Sequence, residues 1–297
     1  MDFKYTFIIP HKNCPILLQR CLDSIPVRDD IQVIVVDDNS DMDKKPRITR
    51  ENVEVFLLDE EQSRGAGRAR NIGLEHARGK WLLFADADDY YSSYLPVLLD
   101  KYADDDSTDI VYLNACKFDE NGIVKPHKTE KLIKDFLNCK KGSEMRLRYD
   151  LWTPWSRMVK RHMVVSNQIK FDELPATNDK MFCLKCSFCS KIINTETTVV
   201  YNYYRPHTHS ITDKQRNYKM LDGLLDVRRR TICLYKEAGY KNIPSFWILL
   251  NKTPYVEGLT KAEIWGKYLN ILRDSHTSIW IDKCRYYRSK YFSYFNI

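Results

Sequence analysis

The sequence predicts an α/β fold with a mixed, largely parallel central sheet flanked by helices. Short apolar segments rich in strand-forming residues recur at residues 5–9, 31–36 and 81–85. Between the first two, Leu17, Leu18, Cys21, Leu22 and Ile25 fall at helical spacing, which gives the order of a parallel crossover unit. Each apolar segment also runs directly into polar residues, as strands do where they leave a sheet at its ligand-binding edge.

The first strand ends at Pro10-His11 and the second at Asp37-Asp38-Asn39-Ser40. A third strand fits residues 53–58. The segment Ser63-Arg64-Gly65-Ala66-Gly67-Arg68-Ala69-Arg70-Asn71 then supplies flexible backbone and three guanidinium groups suited to phosphate oxygens. Trp81-Leu82-Leu83-Phe84-Ala85 reads as a buried strand, and Asp86-Ala87-Asp88-Asp89 follows it at once. Carboxylates crowded at one strand end repel each other, and a hard divalent cation, Mn2+ or Mg2+, neutralises them. Taken singly, Asp37 to Ser40 also suits a turn or helix cap, and the acidic run also suits a solvated loop. Their shared rim is what points to a nucleotide diphosphate.

These residues resemble family-two inverting glycosyltransferases of the GT-A fold, of the type that builds bacterial surface polysaccharide. The resemblance rests on Phe7-Ile8-Ile9-Pro10, Val35-Val36-Asp37-Asp38-Asn39-Ser40, Ala69-Arg70-Asn71-Ile72-Gly73 and Phe84-Ala85-Asp86-Ala87-Asp88-Asp89. It continues in Pro154-Trp155-Ser156-Arg157, Phe171-Asp172-Glu173 with Asn178-Asp179, and Tyr203-Tyr204-Arg205 leading to Ser210-Ile211-Thr212. It implies a GT-A-like catalytic domain over residues 1–212, with a nucleotide-binding half at 1–113 and an acceptor half at 114–212.

The same resemblance implies residue roles. Asp38 would contact the base, Asp86 the ribose, and Asp88 the metal on the diphosphate, as the DXD motif; Pro10, His11, Arg64 and Arg68 complete the nucleotide set. Asp179 would be the catalytic base, with Asp172 and Glu173 in reserve. Asn178 stands where relatives often carry Glu, so Asp179 is the one carboxylate of that pair. Asn178 and Trp155 are assigned to the acceptor side, where Trp152 and Arg157 also belong; Trp155 suits packing equally. His207 and His209 follow the strand expected at residues 199–204, and His209 is a second metal-ligand candidate, an exposed loop being the alternative.

The implied activity moves one sugar, with inversion, from a nucleotide-diphosphate sugar, by default a UDP-sugar, to a hydroxyl of a glycan or lipid-linked glycan. Capsule, lipopolysaccharide or exopolysaccharide synthesis is the expected setting. Processive relatives carry a Gln-x-x-Arg-Trp motif, which Gln215-Arg216-Asn217-Tyr218 does not match. Two other readings use the same residues. An aspartate-nucleophile phosphatase also places Asp-x-Asp after an apolar strand, although usually the chain's first. A catalytically silent sugar-nucleotide binder would keep most of the site.

With 297 residues, 43% of them hydrophobic, and a net charge of +7, the chain can bury one large or two modest cores. No apolar run reaches the length of a membrane span, and Pro10-His11-Lys12 interrupts any secretory signal, so a cytoplasmic protein is expected. Nine cysteines, an odd number, suit reduced thiols. Cys183, Cys186 and Cys189 imitate an iron–sulfur run, but Ile193 and Asn194 stand where its last Cys and Pro would be. They are expected to pack on a helix.

Residues 213–297 read as a helical, basic and aromatic extension. Tyr218, Leu221, Leu225, Ile232 and Tyr235 share one face, and Ile264, Tyr268, Ile271 and Leu272 suggest a second helix. The last segment interleaves Lys283, Arg285, Arg288 and Lys290 with Tyr286, Tyr287, Tyr291, Phe292, Tyr294 and Phe295. Such a tail suits an anionic membrane surface or packing onto the catalytic domain. No nucleic-acid motif accompanies the basic charge, so nucleic acid is not an expected partner.

Overall fold

A computed structural model describes residues 3–48, 50–119, 121–122, 124–205, 218–247 and 260–292. It separates into two compact units, Met1–His209 and Ser210–Ile297.

The strands of the first unit are β1 (Tyr5–His11), β2 (Ile31–Asp37), β3 (Val53–Leu57), β4 (Trp81–Phe84), β5 (Tyr90–Tyr91), β6 (Ile110–Phe118), β7 (Val124–Pro126), β8 (Arg157–Lys160) and β9 (Ile193–Tyr204). They form one sheet in the order β3-β2-β1-β4-β8-β6-β9-β5, with β7 added beside β6. The longest pairings are parallel, β1 with β2 over seven residues and β6 with β9 over nine. The shorter β4–β8, β6–β8, β5–β9 and β6–β7 pairings are antiparallel. The sheet is therefore mixed and largely parallel, as expected.

Among the described residues, seven α-helices flank it: α1 (Pro15–Asp23), α2 (Ala66–His76), α3 (Leu95–Tyr102), α4 (Lys128–Leu137), α5 (Ser143–Asp150), α6 (Arg161–Ser166) and α7 (Lys180–Cys189). Alternation along the strands divides the core between two faces. Phe7, Ile9, Val33, Val35 and Leu83 pack with Leu18, Leu22, Leu95 and Leu98 of α1 and α3. Ile8, Leu82 and Phe84 pack on the other face with Phe171, Phe182, Cys183 and Cys186. Ile34 and Val36 meet Ala69 and Ile72 of α2.

Glycine allows α2 to lie this close. A Cβ on Gly73 would stand 2.3 Å from a methyl of Ile8, and one on Gly67 would stand 2.0 Å from the Asp172 carbonyl oxygen. The second contact ties the start of α2 to the segment leading into Asp179. Cys183 and Cys186 are buried in the α7 core as expected, and burial pushes the Cys183 thiol up to about 12.

The second unit contains α8 (Tyr218–Glu237) and helices Lys261–Asp274 and Ile279–Phe292. Leu221, Leu225, Ile232, Phe246, Tyr268 and Leu272 form its core. Thr260 and Glu263 make a capping box at the start of the second helix. The final helix is anchored by fully buried Asp282, which accepts from Ser245 Oγ at 3.1 Å, Phe246 N at 3.0 Å, Trp247 N at 3.1 Å and the Tyr268 hydroxyl at 3.0 Å. The basic and aromatic segment is thus attached to a core of its own unit. Tyr294 and Phe295 lie outside the described residues.

Candidate active site

The carboxyl ends of β1, β2 and β4 lie side by side, because Ile8 pairs with both Ile34 and Phe84. Pro10 lies near the end of β1, while Asp38 and Asp86 lie just beyond β2 and β4. A parallel sheet thus collects the polar residues that follow each strand on one rim.

His11 is buried on that rim rather than open to it. Its Nδ1 lies 2.7 Å from the Asp37 carboxylate, and its Nε2 accepts from the Cys14 N–H at 3.3 Å. Both ring nitrogens are thus engaged within the fold. Asp37 also takes the Ser40 N–H at 3.0 Å. Asp38 accepts from the Ser63 hydroxyl at 2.9 Å and the Gly65 N–H at 3.1 Å, and Lys12 Nζ approaches its other oxygen at 3.4 Å. It therefore organises the turn that enters α2.

The three carboxylates after β4 have different surroundings. Asp89 is fully buried and accepts from the Tyr201 hydroxyl and the Tyr204 N–H, each at 2.7 Å. Asp86 accepts from Arg70, and its own N–H donates to the Tyr201 hydroxyl at 2.9 Å. Asp88 has its carbonyl oxygen held by Arg20 at 2.6 Å. Desolvation, with Asp86 as a like charge, raises the Asp88 carboxyl to about 6. A carboxyl raised by burial and a like charge is one whose charged form a nearby cation would favour.

Among the described residues no group of three or more His, Cys, Asp or Glu is arranged to hold a metal by itself. The donor set nevertheless suits Mg2+ or Mn2+, which bind through one or two carboxylates and fill their remaining positions with phosphate and water. Asp88 would hold such an ion. His207 and His209 lie outside the described residues.

Arg70 joins the rim to the segment that leads into α7. It donates to Asp86 and, at 3.1 Å, to the Asn178 amide oxygen, with its guanidinium 5.4 Å from the Phe171 ring centre. Asp179 immediately precedes α7 and is raised by desolvation; Arg70 opposes that shift and Asp86 reinforces it. Asp86, Arg70, Asn178 and Asp179 thus form one electrostatic group. Arg64 and Arg68 instead approach Glu173, at 3.4 and 3.5 Å.

Trp155 is buried in an aromatic stack, its ring centre 4.8 Å from that of Tyr201 and 5.4 Å from that of Tyr203. Arg157 is fully buried and donates to the Cys183 carbonyl at 3.0 Å. Trp152 is more open, and Lys180 Nζ lies 3.9 Å from its ring centre.

Sequence reasoning singled out Arg64 and Arg68 for the nucleotide set and left Arg70 as part of a motif. A signal was present: Gly67, Arg70 and Gly73 recur every three residues, so Arg70 shares the helix face that small residues let approach the sheet. Arg20 and Tyr201 were missed. Neither belongs to an acidic or glycine-rich motif, and both reach the rim through the tertiary fold.

The Glycosyl transferase family 2 profile matches residues 6–160, just over half of the chain and the whole of the rim. The chain belongs to glycosyl transferase family 2. It is 27% identical over 227 residues to EpsH of Bacillus subtilis, covering 71% of this chain and 63% of that protein. It is also 27% identical over 259 residues to the glycosyltransferase GlyA of Streptococcus pneumoniae, covering 81% of this chain and 36% of GlyA. The chain thus spans less than two thirds of either relative. The crystal structure of S. aureus TarS 1-349 in complex with UDP-GlcNAc superposes with a TM-score of 0.65 at 20% identity, covering 92% of this chain and 80% of that one. That likeness bears out the GT-A-like fold. Among the described residues no helix is long and apolar enough to cross a membrane.

Proposed function

We propose that this family 2 glycosyltransferase transfers a single sugar, with inversion, from a UDP-sugar to a hydroxyl of a glycan or lipid-linked glycan in bacterial surface-polysaccharide synthesis. The observation that carries this is Arg70, whose guanidinium bonds Asp86 on the nucleotide rim and Asn178 beside Asp179. One guanidinium thereby holds Asp86 on the rim and Asn178 beside the candidate base Asp179. The UDP-GlcNAc bound by TarS, a protein of the same fold, supports UDP as the nucleotide.

In this scheme Asp38 contacts the base, Asp86 the ribose, and Asp88 the divalent ion on the diphosphate. The ion, when bound, offsets negative charge on the departing diphosphate. Asp179 accepts the proton of the acceptor hydroxyl as that oxygen bonds to the anomeric carbon. The bond from that carbon to the diphosphate oxygen breaks on the opposite face, its electron pair leaves with UDP, and the configuration inverts. Asp179 then releases its proton to water. Desolvation suits Asp179 to this task by making its carboxylate a stronger base than an exposed aspartate.

The test is UDP release from a panel of UDP-sugars with Mn2+, comparing the protein with Asp179→Asn. Turnover that the substitution abolishes while UDP still binds supports the proposal. Equal turnover in the variant removes Asp179 from its role, and phosphate release from simple phosphomonoesters would favour the phosphatase alternative.

A further inference from the structure

The acidic turn after β4 is held at each of its carboxylates in a different way. The Asp89 N–H donates to the Asp86 carbonyl at 3.0 Å, which closes the turn. The Asp86 carboxylate is bound by Arg70, and the Asp89 carboxylate by the Tyr201 hydroxyl and the Tyr204 N–H. The Asp88 carboxylate has no side-chain partner among the described residues, so its direction is set by the backbone that carries it. That backbone is gripped by Arg20, 68 positions away in the chain, whose Nη2 donates to the Asp88 carbonyl at 2.6 Å.

Arg20 is itself fixed. Its guanidinium carbon lies 5.2 Å from the ring centres of Tyr90 and Phe118 and 5.6 Å from that of Tyr204. Those rings brace one another, with Phe118 5.0 Å from Tyr90 and 5.1 Å from Tyr204. Arg20 comes from the last turn of α1 and the rings from β5, β6 and β9, so one helix and three strands converge on a single carbonyl of the turn. Cation–π attraction accounts for the enclosure. It does not account for Arg20 Nε, which is buried without a hydrogen-bond partner, a cost that a Met in the same space would not carry. The bond from Nη2 to the turn is what arginine supplies there and an apolar side chain would not. Charge alone would work the other way, because a guanidinium beside Asp88 repels a divalent cation.

Resting on the assignment of Asp88 to the metal in the transferase proposal, we infer that Arg20 is a positioning residue for the metal site. Clamped between three rings, it fixes the Asp88 backbone so that the carboxylate is presented to Mn2+ or Mg2+ in one orientation. The two effects of Arg20 on the ion are opposite in sign, repulsion by its charge and gain from the orientation it imposes, which makes the role separable by substitution.

The experiment measures UDP binding by calorimetry over a series of Mn2+ concentrations, using the full chain, Arg20→Met and Arg20→Lys. Arg20→Met should raise the Mn2+ concentration at half-maximal binding about 10- to 100-fold, the usual effect of losing a group that orients a metal ligand. At saturating Mn2+ its affinity for UDP should match that of the unsubstituted protein. Arg20→Lys keeps the cation and a donor but loses the planar fork and its reach, so its Mn2+ requirement should fall between the other two. Circular dichroism confirms that each protein is folded.

An unchanged or lower Mn2+ requirement in Arg20→Met would overturn the inference and leave Arg20 acting on the ion through its charge alone. A deficit that persists at saturating Mn2+ would overturn it too, by making Arg20 a nucleotide contact or a structural residue. Arg20→Lys indistinguishable from the unsubstituted protein would have the same force even where Arg20→Met does not fold. The unsubstituted protein separates the two levels. Mn2+-dependent UDP binding there, with no effect of either variant, refutes the role of Arg20 alone, whereas UDP binding that ignores Mn2+ or is absent refutes the metal assignment on which that role stands.

Discussion

Asn71 and Phe171 hold each other by two hydrogen bonds: the Phe171 N–H donates to Asn71 Oδ1 at 2.8 Å, and Asn71 Nδ2 donates to the Phe171 carbonyl at 3.0 Å. One buried amide thus satisfies both backbone groups of a residue 100 positions away. The pairing fixes the segment that leads to Asp179 against α2, the helix that carries Arg70. Asn71→Ala removes both bonds and leaves buried polar groups unpaired, which costs about 2–3 kcal/mol. Urea unfolding should report that loss, and kcat should fall more than UDP affinity does if the displaced element carries the proposed base, Asp179, rather than the proposed nucleotide site.

The pH dependence of transfer follows from Asp179. A base works only when deprotonated, and desolvation raises this carboxyl above the ordinary range, with Arg70 as the main opposing influence. The kcat/KM profile should therefore fall on its acid side at a higher pH than an exposed aspartate would give. Arg70→Met removes the opposing charge and should move that acid limb to still higher pH. An unmoved limb would detach Asp179 from the proton transfer.

The raised Asp88 carboxyl carries a stability cost. Its folded carboxyl, raised to about 6, holds a proton that the unfolded chain has already released. Between the ordinary value of 3.8 and about 6, stability of the metal-free protein therefore declines as pH rises, and the full cost is present above that window. Asp88→Asn should raise metal-free stability at pH 7.5 by about 1–3 kcal/mol and have little effect near pH 4. Chemical denaturation at the two pH values checks both statements.

The final helix offers a membrane test. Trp280 is 77% exposed and Tyr287 53% exposed, while Lys283 Nζ lies 5.7 Å from the Trp280 ring centre. Exposed aromatic rings beside cations suit an anionic bilayer surface. The full chain should co-sediment with vesicles rich in phosphatidylglycerol, and Trp280→Ser with Tyr287→Ser should weaken this several-fold. These positions are preferable to truncation within the helix, because Asp282 anchors it to its own core. Equal sedimentation of both proteins would end the membrane proposal.

Strands β1, β2 and β4 were legible because they are buried almost throughout and so are predominantly apolar. Strand β8 was not. It reads Arg-Met-Val-Lys, and its charged ends are tolerated because Arg157 finds carbonyl partners and Lys160 Nζ lies 4.3 Å from the Trp81 ring centre. Strand β9 begins at Ile193, six residues before the apolar segment that marks it at residue 199, because Asn194 to Thr198 are all polar.

The same distinction governs the site. The acidic strand ends announce themselves in sequence, since several carboxylates follow an apolar run. How far each is engaged within the fold depends on distant partners: Tyr201 and Tyr204 take both oxygens of Asp89, whereas Arg70 bonds one oxygen of Asp86. Tyr201 stands 112 residues from Asp89, beyond the reach of any local pattern.

The most direct test of the nucleotide site is calorimetric titration of UDP into the protein, with and without Mn2+, in parallel with Asp88→Ala. The account predicts binding that requires the metal and disappears in the variant, while the variant remains folded. Metal-independent binding that survives Asp88→Ala, or no binding of UDP by folded protein in either condition, would contradict it.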